Sequence, residues 1–287
     1  MSLPLSNIKA IFVATFLGLA LTESESSAPA IPIPLAEASE MSNAPSAPDR
    51  VLGDVPSPGS VAATPAGACG SDMILIDGDY CPDAEQVCLK WIDPPPYENL
   101  RCAEYSKPAK CKVPTVHKKF CIDREEYATK DENGNLDLPT VRKNWNEAQA
   151  ICATRSARLC KETEWEFACE GPDMSPYPYG WKRDSTVCNF DKTNLGGPEE
   201  KLNDLRAPLS AYPDCKSPFG VHNMVGNVDE WVEREGMQPP NRSALRGGWW
   251  LPGRNRCRAA TTQHGEDYSG KQVGFRCCKE APSDVAD

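Results

Sequence analysis

Beyond residue 68 the chain alternates short apolar runs with clusters of turn-forming residues, and each run predicts an element. Met73-Ile74-Leu75-Ile76 ends at Asp77-Gly78-Asp79 and reads as a first strand entering a turn. Phe120-Cys121-Ile122-Asp123, followed by Glu126-Tyr127, predicts a second strand leading to a helix start. From Asn144 the period changes. Trp145, Ala148, Ile151 and Cys152 fall on one helical face, with Asn144 placed as N-cap. A second helix is expected across Glu162 to Cys169, with Trp165, Phe167 and Ala168 facing inward. Glu162, Glu164 and Glu166 do not share a helix face, so they read as a solvated helix start rather than an acid–base set. After Gly171 the chain fills with Pro, Gly, Asn and Asp. Regular elements there should be short, and long irregular connections of this kind usually carry function or bound ions. Val273-Gly274-Phe275-Arg276-Cys277 predicts a closing strand.

The first residues follow a different pattern. Lys9 precedes the apolar run Ala10 to Leu21, the length of a signal-peptide core and short for a membrane span. Ala28-Pro29-Ala30 supplies a small-x-small site, so residues 1–30 read as a signal peptide, with an uncleaved anchor as the alternative. Residues 31–68 are rich in Ala, Pro and Ser and read as a disordered linker. The folded domain is expected over 69–280, with a flexible tail at 281–287. No transmembrane segment is expected beyond the signal peptide.

Composition adds a compartment and removes some partners. The chain has 14 cysteines, all at or after Cys69, only 3 histidines, and no Cys-x-x-Cys pair. That usage points to disulfides in an oxidising space, hence a secreted or periplasmic/extracellular protein. A net charge of -10 gives no case for nucleic acid or an anionic membrane as partner. His117, His222 and His264 are far apart in sequence and share no metal motif. Asn241-Arg242-Ser243 fits an N-glycan acceptor.

The strongest chemical signal lies in ordered motifs. Phe120-Cys121-Ile122-Asp123 with Glu126, Arg158-Leu159-Cys160-Lys161-Glu162-Thr163-Glu164-Trp165-Glu166 and Tyr177-Pro178-Tyr179-Gly180 come first. Cys188-Asn189 and Gly220-Val221-His222-Asn223-Met224-Val225-Gly226-Asn227-Val228-Asp229-Glu230-Trp231 follow. Leu245-Arg246-Gly247-Gly248-Trp249-Trp250 and Gly274-Phe275-Arg276-Cys277 complete the series. Across residues 73 to 278 this order resembles the formylglycine-generating enzyme family, also called the sulfatase-modifying factor domain.

The resemblance implies an α+β, C-type-lectin-like mixed fold: loop-rich, with two main helices on small twisted sheets, stapled by disulfides. It pairs Cys152 with Cys277 and Cys169 with Cys257; Cys188 with Cys215 and Cys160 with Cys278 are further pairings expected without that support. The six cysteines from Cys69 to Cys121 keep their pairing open. It also implies calcium, held by Asn223, Gly226, Val228 and Glu230, with Asn189 and Phe190 at a second site; a self-capped Asx-rich turn is the alternative.

Copper is not implied. Family enzymes place a serine after Arg-Gly-Gly and then two cysteines, whose thiolates hold copper(I). Here Trp249 stands at the serine position, Pro252 at the first cysteine position, and the second falls in the shortened Gly253-Arg254-Asn255 segment. Cys257 lies in a setting like the family's structural disulfide strand. Cys160 and Lys161 replace the family's Pro-Thr, removing the hydroxyl N-cap of the second helix. Of Trp249 and Trp250, one is expected to pack and the other to line a ligand surface with Arg254.

Two functions follow. The first is a noncatalytic, calcium-supported module that presents loops over 175–217 and 236–269 to a protein or glycan. The second is an oxidoreductase that converts a target-protein cysteine to formylglycine, or a divergent metal-dependent oxidase. Whether the chain is an enzyme stays open at this point.

Overall fold

The computed structural model describes residues 68–98, 100–130, 137–198 and 201–283. The expected signal peptide, all of the expected linker but Ala68, and the last four residues of the expected tail lie outside the described residues.

Two four-stranded sheets and two helices make the fold. The first sheet has the order β1 (Met73–Tyr80), β6 (Val116–Asp123), β12 (Cys277–Glu280), β7 (Arg158–Leu159), and its pairs are antiparallel. The second has the order β10 (Ala260–Thr261), β9 (Ser243–Arg246), β8 (Asp229–Glu233), β11 (Val273–Phe275), with β11 parallel to β8. Short ribbons pair β2 (Ala84–Glu85) with β5 (Lys110–Cys111), and β3 (Cys88–Trp91) with β4 (Cys102–Tyr105).

Helix α1 (Trp145–Thr154) starts as its sequence predicts. Asn144 Oδ1 accepts from Glu147 N at 2.8 Å while Glu147 Oε2 accepts from Asn144 N at 3.0 Å, a reciprocal cap. Its buried face carries Trp145, Ala148 and Cys152 against Trp231, Leu245 and Phe275. Helix α2 (Glu162–Glu170) has no side-chain cap, as Lys161 in place of a hydroxyl residue implied; only Glu164 reaches back to Lys161 N, at 2.9 Å. Trp165, Phe167 and Ala168 enter the larger core with Ile76, Phe120, Val225 and Val232.

Three sequence-based expectations are corrected. Asp77-Gly78-Asp79 is not a turn, because β6 extends back to Val116 and pairs with it residue by residue. Asp77 faces Lys119 and His117, and Asp79 faces His117, so cross-strand charge carries the strand through polar residues. Gly78 sits beside Phe167, whose ring lies 3.2 Å from where a Cβ would be. Val273 to Cys277 is not one strand: Arg276, fully buried, separates β11 in one sheet from β12 in the other. Glu164 and Glu166 are not solvated. Both are buried, Glu164 on Arg158 (2.7 and 2.8 Å) and Glu166 on Arg246 (2.7 Å) and the Tyr80 hydroxyl.

All fourteen cysteines form disulfides. Cys152–Cys277 and Cys169–Cys257 are the pairs that the family resemblance implied, and Cys160–Cys278 and Cys188–Cys215 join them. Cys69–Cys121, Cys81–Cys111 and Cys88–Cys102 complete the set. Neighbouring cysteines of β12 point to opposite sides, so one strand is tied both to α1 and to the segment entering α2. Each such link stabilises by ~2 to 5 kcal/mol, largely by restricting the unfolded chain.

Candidate functional site

Strand β8 organises the chemistry, because its alternation sends adjacent acids to opposite faces. Glu230 points into the core. Its carboxylate accepts from Arg276 Nε and Nη2, both at 2.7 Å, and from Trp165 Nε1 at 2.8 Å. Arg276 also donates to the carbonyls of Asp123 (3.2 Å) and His222 (3.0 Å). Burial lowers the preference of Arg276 for its charge, and Glu230 beside it more than restores it. The pair is closed by fork geometry on all sides.

The loop before β8 holds the expected calcium residues. Asn223, Gly226 and Asn227 have positive φ (55°, 79° and 57°), which curls the loop between the carbonyl of Asn189 and that of Gly247. Asn223 Nδ2 donates to Leu209 O at 3.1 Å, leaving its Oδ1 as an acceptor. Glu230, the only charged member of the first set, has both oxygens on Arg276. Glu126 lies fully inside, accepting from Asn227 Nδ2 (2.6 Å) and Val228 N (3.2 Å), and burial followed by the nearby Glu230 holds its carboxyl well above the usual range. Burial pushes Glu125, which meets His222 at 2.9 Å, up to about 7. Three carboxyl groups thus share one fully buried guanidinium. Of the second set, Asn189 serves as a strut: Nδ2 donates to Leu205 O and Asn227 Oδ1, and its carbonyl accepts from Asn227 N. Phe190 packs in the core under Arg183.

The opposite face of β8 opens on a cavity of about 220 Å³. Asp229 forms part of its lining, with Leu245, Trp249, Leu251, Pro252 and Arg254. The left-handed Gly247 and Gly248 (φ 85° and 70°) shape this end: a Cβ on Gly247 would lie 2.7 Å from Met224 O, and one on Gly248 2.6 Å from Asn255 Nδ2. Asp229 accepts one side-chain hydrogen bond, from Gly248 N at 3.1 Å, and makes no ion pair with a described residue. Burial pushes its carboxyl up to about 7, against the pull of Gly248 N. Arg254 is exposed and likewise makes no ion pair among the described residues. The two tryptophans divide: Trp250 is fully buried and offers no surface, whereas half-buried Trp249 lines the cavity.

Sequence reasoning singled out Trp249 and Arg254 for this cavity and missed Asp229, although it sits inside a quoted motif. The one signal was its place two residues before Trp231, on the same face of the strand as that large apolar residue. The three histidines do not converge. His117 meets Asp77 and Asp79 on the surface, His222 meets Glu125, and His264 stacks on Tyr268. No group of three metal-ligating side chains occurs among the described residues. None of their helices is long and apolar enough to cross a membrane.

Cys257, nearest to the family's second thiolate position, is fully buried and bonded to Cys169. With Trp249 and Pro252 at the other two positions, the residues present do not fit a copper(I) thiolate site.

The chain is 33% identical over 156 residues to the inactive C-alpha-formylglycine-generating enzyme 2 of Bos taurus, covering 51% of this chain and 52% of that protein. It is 26% identical over 176 residues to the formylglycine-generating enzyme of Bos taurus, covering 50% and 44%. The chain therefore spans about half the length of these curated relatives. Among solved structures, PvdO from Pseudomonas aeruginosa aligns with a TM-score of 0.49 at 16% identity, over 72% of this chain and 94% of that one. The family described as "Sulfatase-modifying factor enzyme 1-like domain" matches residues 89–281, and the chain belongs to it.

Proposed function

We propose that this domain is a noncatalytic recognition module of an extracytoplasmic compartment, supported by calcium and presenting its loops to a protein or glycan ligand. One observation carries the reading: at the end of Arg246-Gly247-Gly248, where the family's oxidase chemistry needs paired thiolates, the nearest cysteine is locked in the Cys169–Cys257 disulfide. Seven disulfides are stable only where the surroundings are oxidising, which supports secretion or a periplasmic or extracellular place. The name "inactive" on a relative at 33% identity points the same way.

Calcium suits the Asn223–Glu230 segment in donor type, since Asn223 Oδ1, the carbonyls of Gly226 and Val228 and the Glu230 carboxylate are all hard oxygens. The Asn189–Phe190 set has spent its groups on packing and is not carried forward.

A second reading, an oxidoreductase, draws on the similarity to the formylglycine-generating enzyme and on a hercynine oxygenase of Mycolicibacterium smegmatis, 34% identical over 100 residues, covering 33% of this chain and 22% of that protein. The deciding test incubates the full chain with a Cys-x-Pro-x-Arg peptide, copper(I) and oxygen beside an active family enzyme, and weighs the peptide by mass spectrometry. An unchanged thiol is the expected result. Conversion to the aldehyde would replace the recognition reading with the oxidase.

A further inference from the structure

The cavity beside β8 combines three features that the fold does not use. Its floor is an acid: Asp229 is 7% exposed, has one hydrogen bond, and has no cationic partner among the described residues. Its walls are apolar, from Leu245, Leu251 and Pro252, with the indole of Trp249 beside them. Its rim carries Arg254, exposed and without an ion pair among the described residues, and close enough for its charge to act on Asp229. A buried carboxyl left short of partners is costly, and its persistence next to an opening calls for a donor from outside.

The cavity is also lined by one residue of a ribbon that carries exposed apolar side chains. Leu100 lines the mouth and its N–H bonds to the carbonyl of Tyr97. Ile92 N bonds to Arg101 O, so Trp91, Ile92 and Tyr97 lie on the same ribbon end, 40%, 43% and 65% exposed. Such an apron beside a small acid-floored cavity suits a polypeptide that inserts one side chain.

We propose that the cavity receives a lysine at the C-terminus of a partner polypeptide: the ammonium at Asp229, the four methylenes along Leu245, Leu251 and Pro252 with Trp249 alongside, and the terminal carboxylate at Arg254. Resting on the recognition reading, this assigns that reading a ligand class. Lysine suits the cavity better than arginine, since a compact ammonium on a long apolar stem matches a single acid beside apolar walls. Trp249 adds a cation–π contribution. Arg254 supplies the selectivity for a chain end, because an internal lysine has no carboxylate to offer it.

The test uses the full chain, with 6-aminohexanoate as probe, followed by tryptophan fluorescence and titration calorimetry. Binding at millimolar concentration is expected, with hexylamine several-fold weaker and hexanoate silent. A short peptide ending in free lysine should bind more tightly than its C-terminally amidated form and more tightly than free lysine. Asp229→Asn should weaken 6-aminohexanoate by ~30-fold or more, as expected for removing one partner of a buried charge pair. Trp249→Ala should weaken it by ~5-fold. Arg254→Gln should cost only a few-fold and abolish the preference over hexylamine. Thermal melts and near-UV circular dichroism establish that each variant is folded. The proposal is overturned if the wild-type chain gives no signal with 6-aminohexanoate, or if folded Asp229→Asn binds it unchanged. Equal binding of free lysine and the peptide would overturn the polypeptide source. Failure here with an unoxidised Cys-x-Pro-x-Arg peptide would sink the lysine assignment alone, whereas peptide oxidation would sink the recognition reading itself.

Discussion

Glu230 and Asp229 are neighbours in sequence and occupy opposite faces of one strand, yet their surroundings differ in kind. On the inner face Glu230 meets Arg276 and Trp165 and every polar atom is answered. On the outer face Asp229 is almost as buried and is answered by one backbone N–H. Burial alone therefore does not mark an acid as structural or available; what decides is whether the fold also brings a cation to it. The same division recurs one strand away, where Trp250 is enclosed and Trp249 faces the cavity.

The contrast is broken most directly by removing its two anchors in turn. Arg276→Met should destabilise the domain by ~3 to 5 kcal/mol in urea unfolding, because it strands Glu230 in the core beside Glu126. Asp229→Asn, which keeps shape and the Gly248 contact, should cause no loss of stability; a loss as large as that of Arg276→Met would make Asp229 structural. Trp250→Ala should cost ~3 to 4 kcal/mol and Trp249→Ala under about 1, read from the same unfolding curves.

pH sharpens the comparison. Burial raises Asp229 and Glu170 to about 7, so the folded chain holds protons that the unfolded chain has released. Their contribution to stability is greatest at about pH 4 and lower, near and below their unfolded pKa values. It declines as pH rises to about 7, by up to ~2 to 4 kcal/mol for Asp229. Melting temperatures of wild type and Asp229→Asn should converge in acid and separate toward neutrality, with the variant the more stable. A separation of opposite sign would mean that Asp229 has a cationic partner after all. A further modest effect concerns the loop feeding both faces: calcium should raise stability by ~1 to 2 kcal/mol over a chelator at saturating levels, and Asn223→Ala should remove most of that gain.

Much of this was legible in the sequence wherever the determinant is local or covalent. Helix α1 follows from the spacing of Trp145, Ala148 and Cys152 and from Asn144 as cap. The pairs Cys152–Cys277 and Cys169–Cys257 follow from the resemblance carried by the ordered motifs. What was not legible depends on partners remote in sequence. Glu164 and Glu166 look like a solvated helix start until Arg246 and Tyr80 arrive from elsewhere, and Asp77 looks like a turn residue until Lys119 and His117 pair with it. Arg276 breaks an apparently continuous apolar run because its donors reach Glu230 and two carbonyls. Asp229 escaped notice for a related reason, since its distinction is a partner that the fold withholds.

The pattern of disulfides also divides the chain into two covalent islands. Three bridges lie wholly within 69–121 and four within 152–278, and none crosses the stretch between Cys121 and Cys152. A protease cut anywhere from 170 to 256 leaves the later fragments bolted together, and a non-reducing gel would still show a single band. One cut between Cys121 and Cys152 leaves only strand pairing and packing to hold the halves together, so detergent alone would part them. Between Cys69 and Cys278, that stretch is the one place where a single proteolytic event can take the molecule apart.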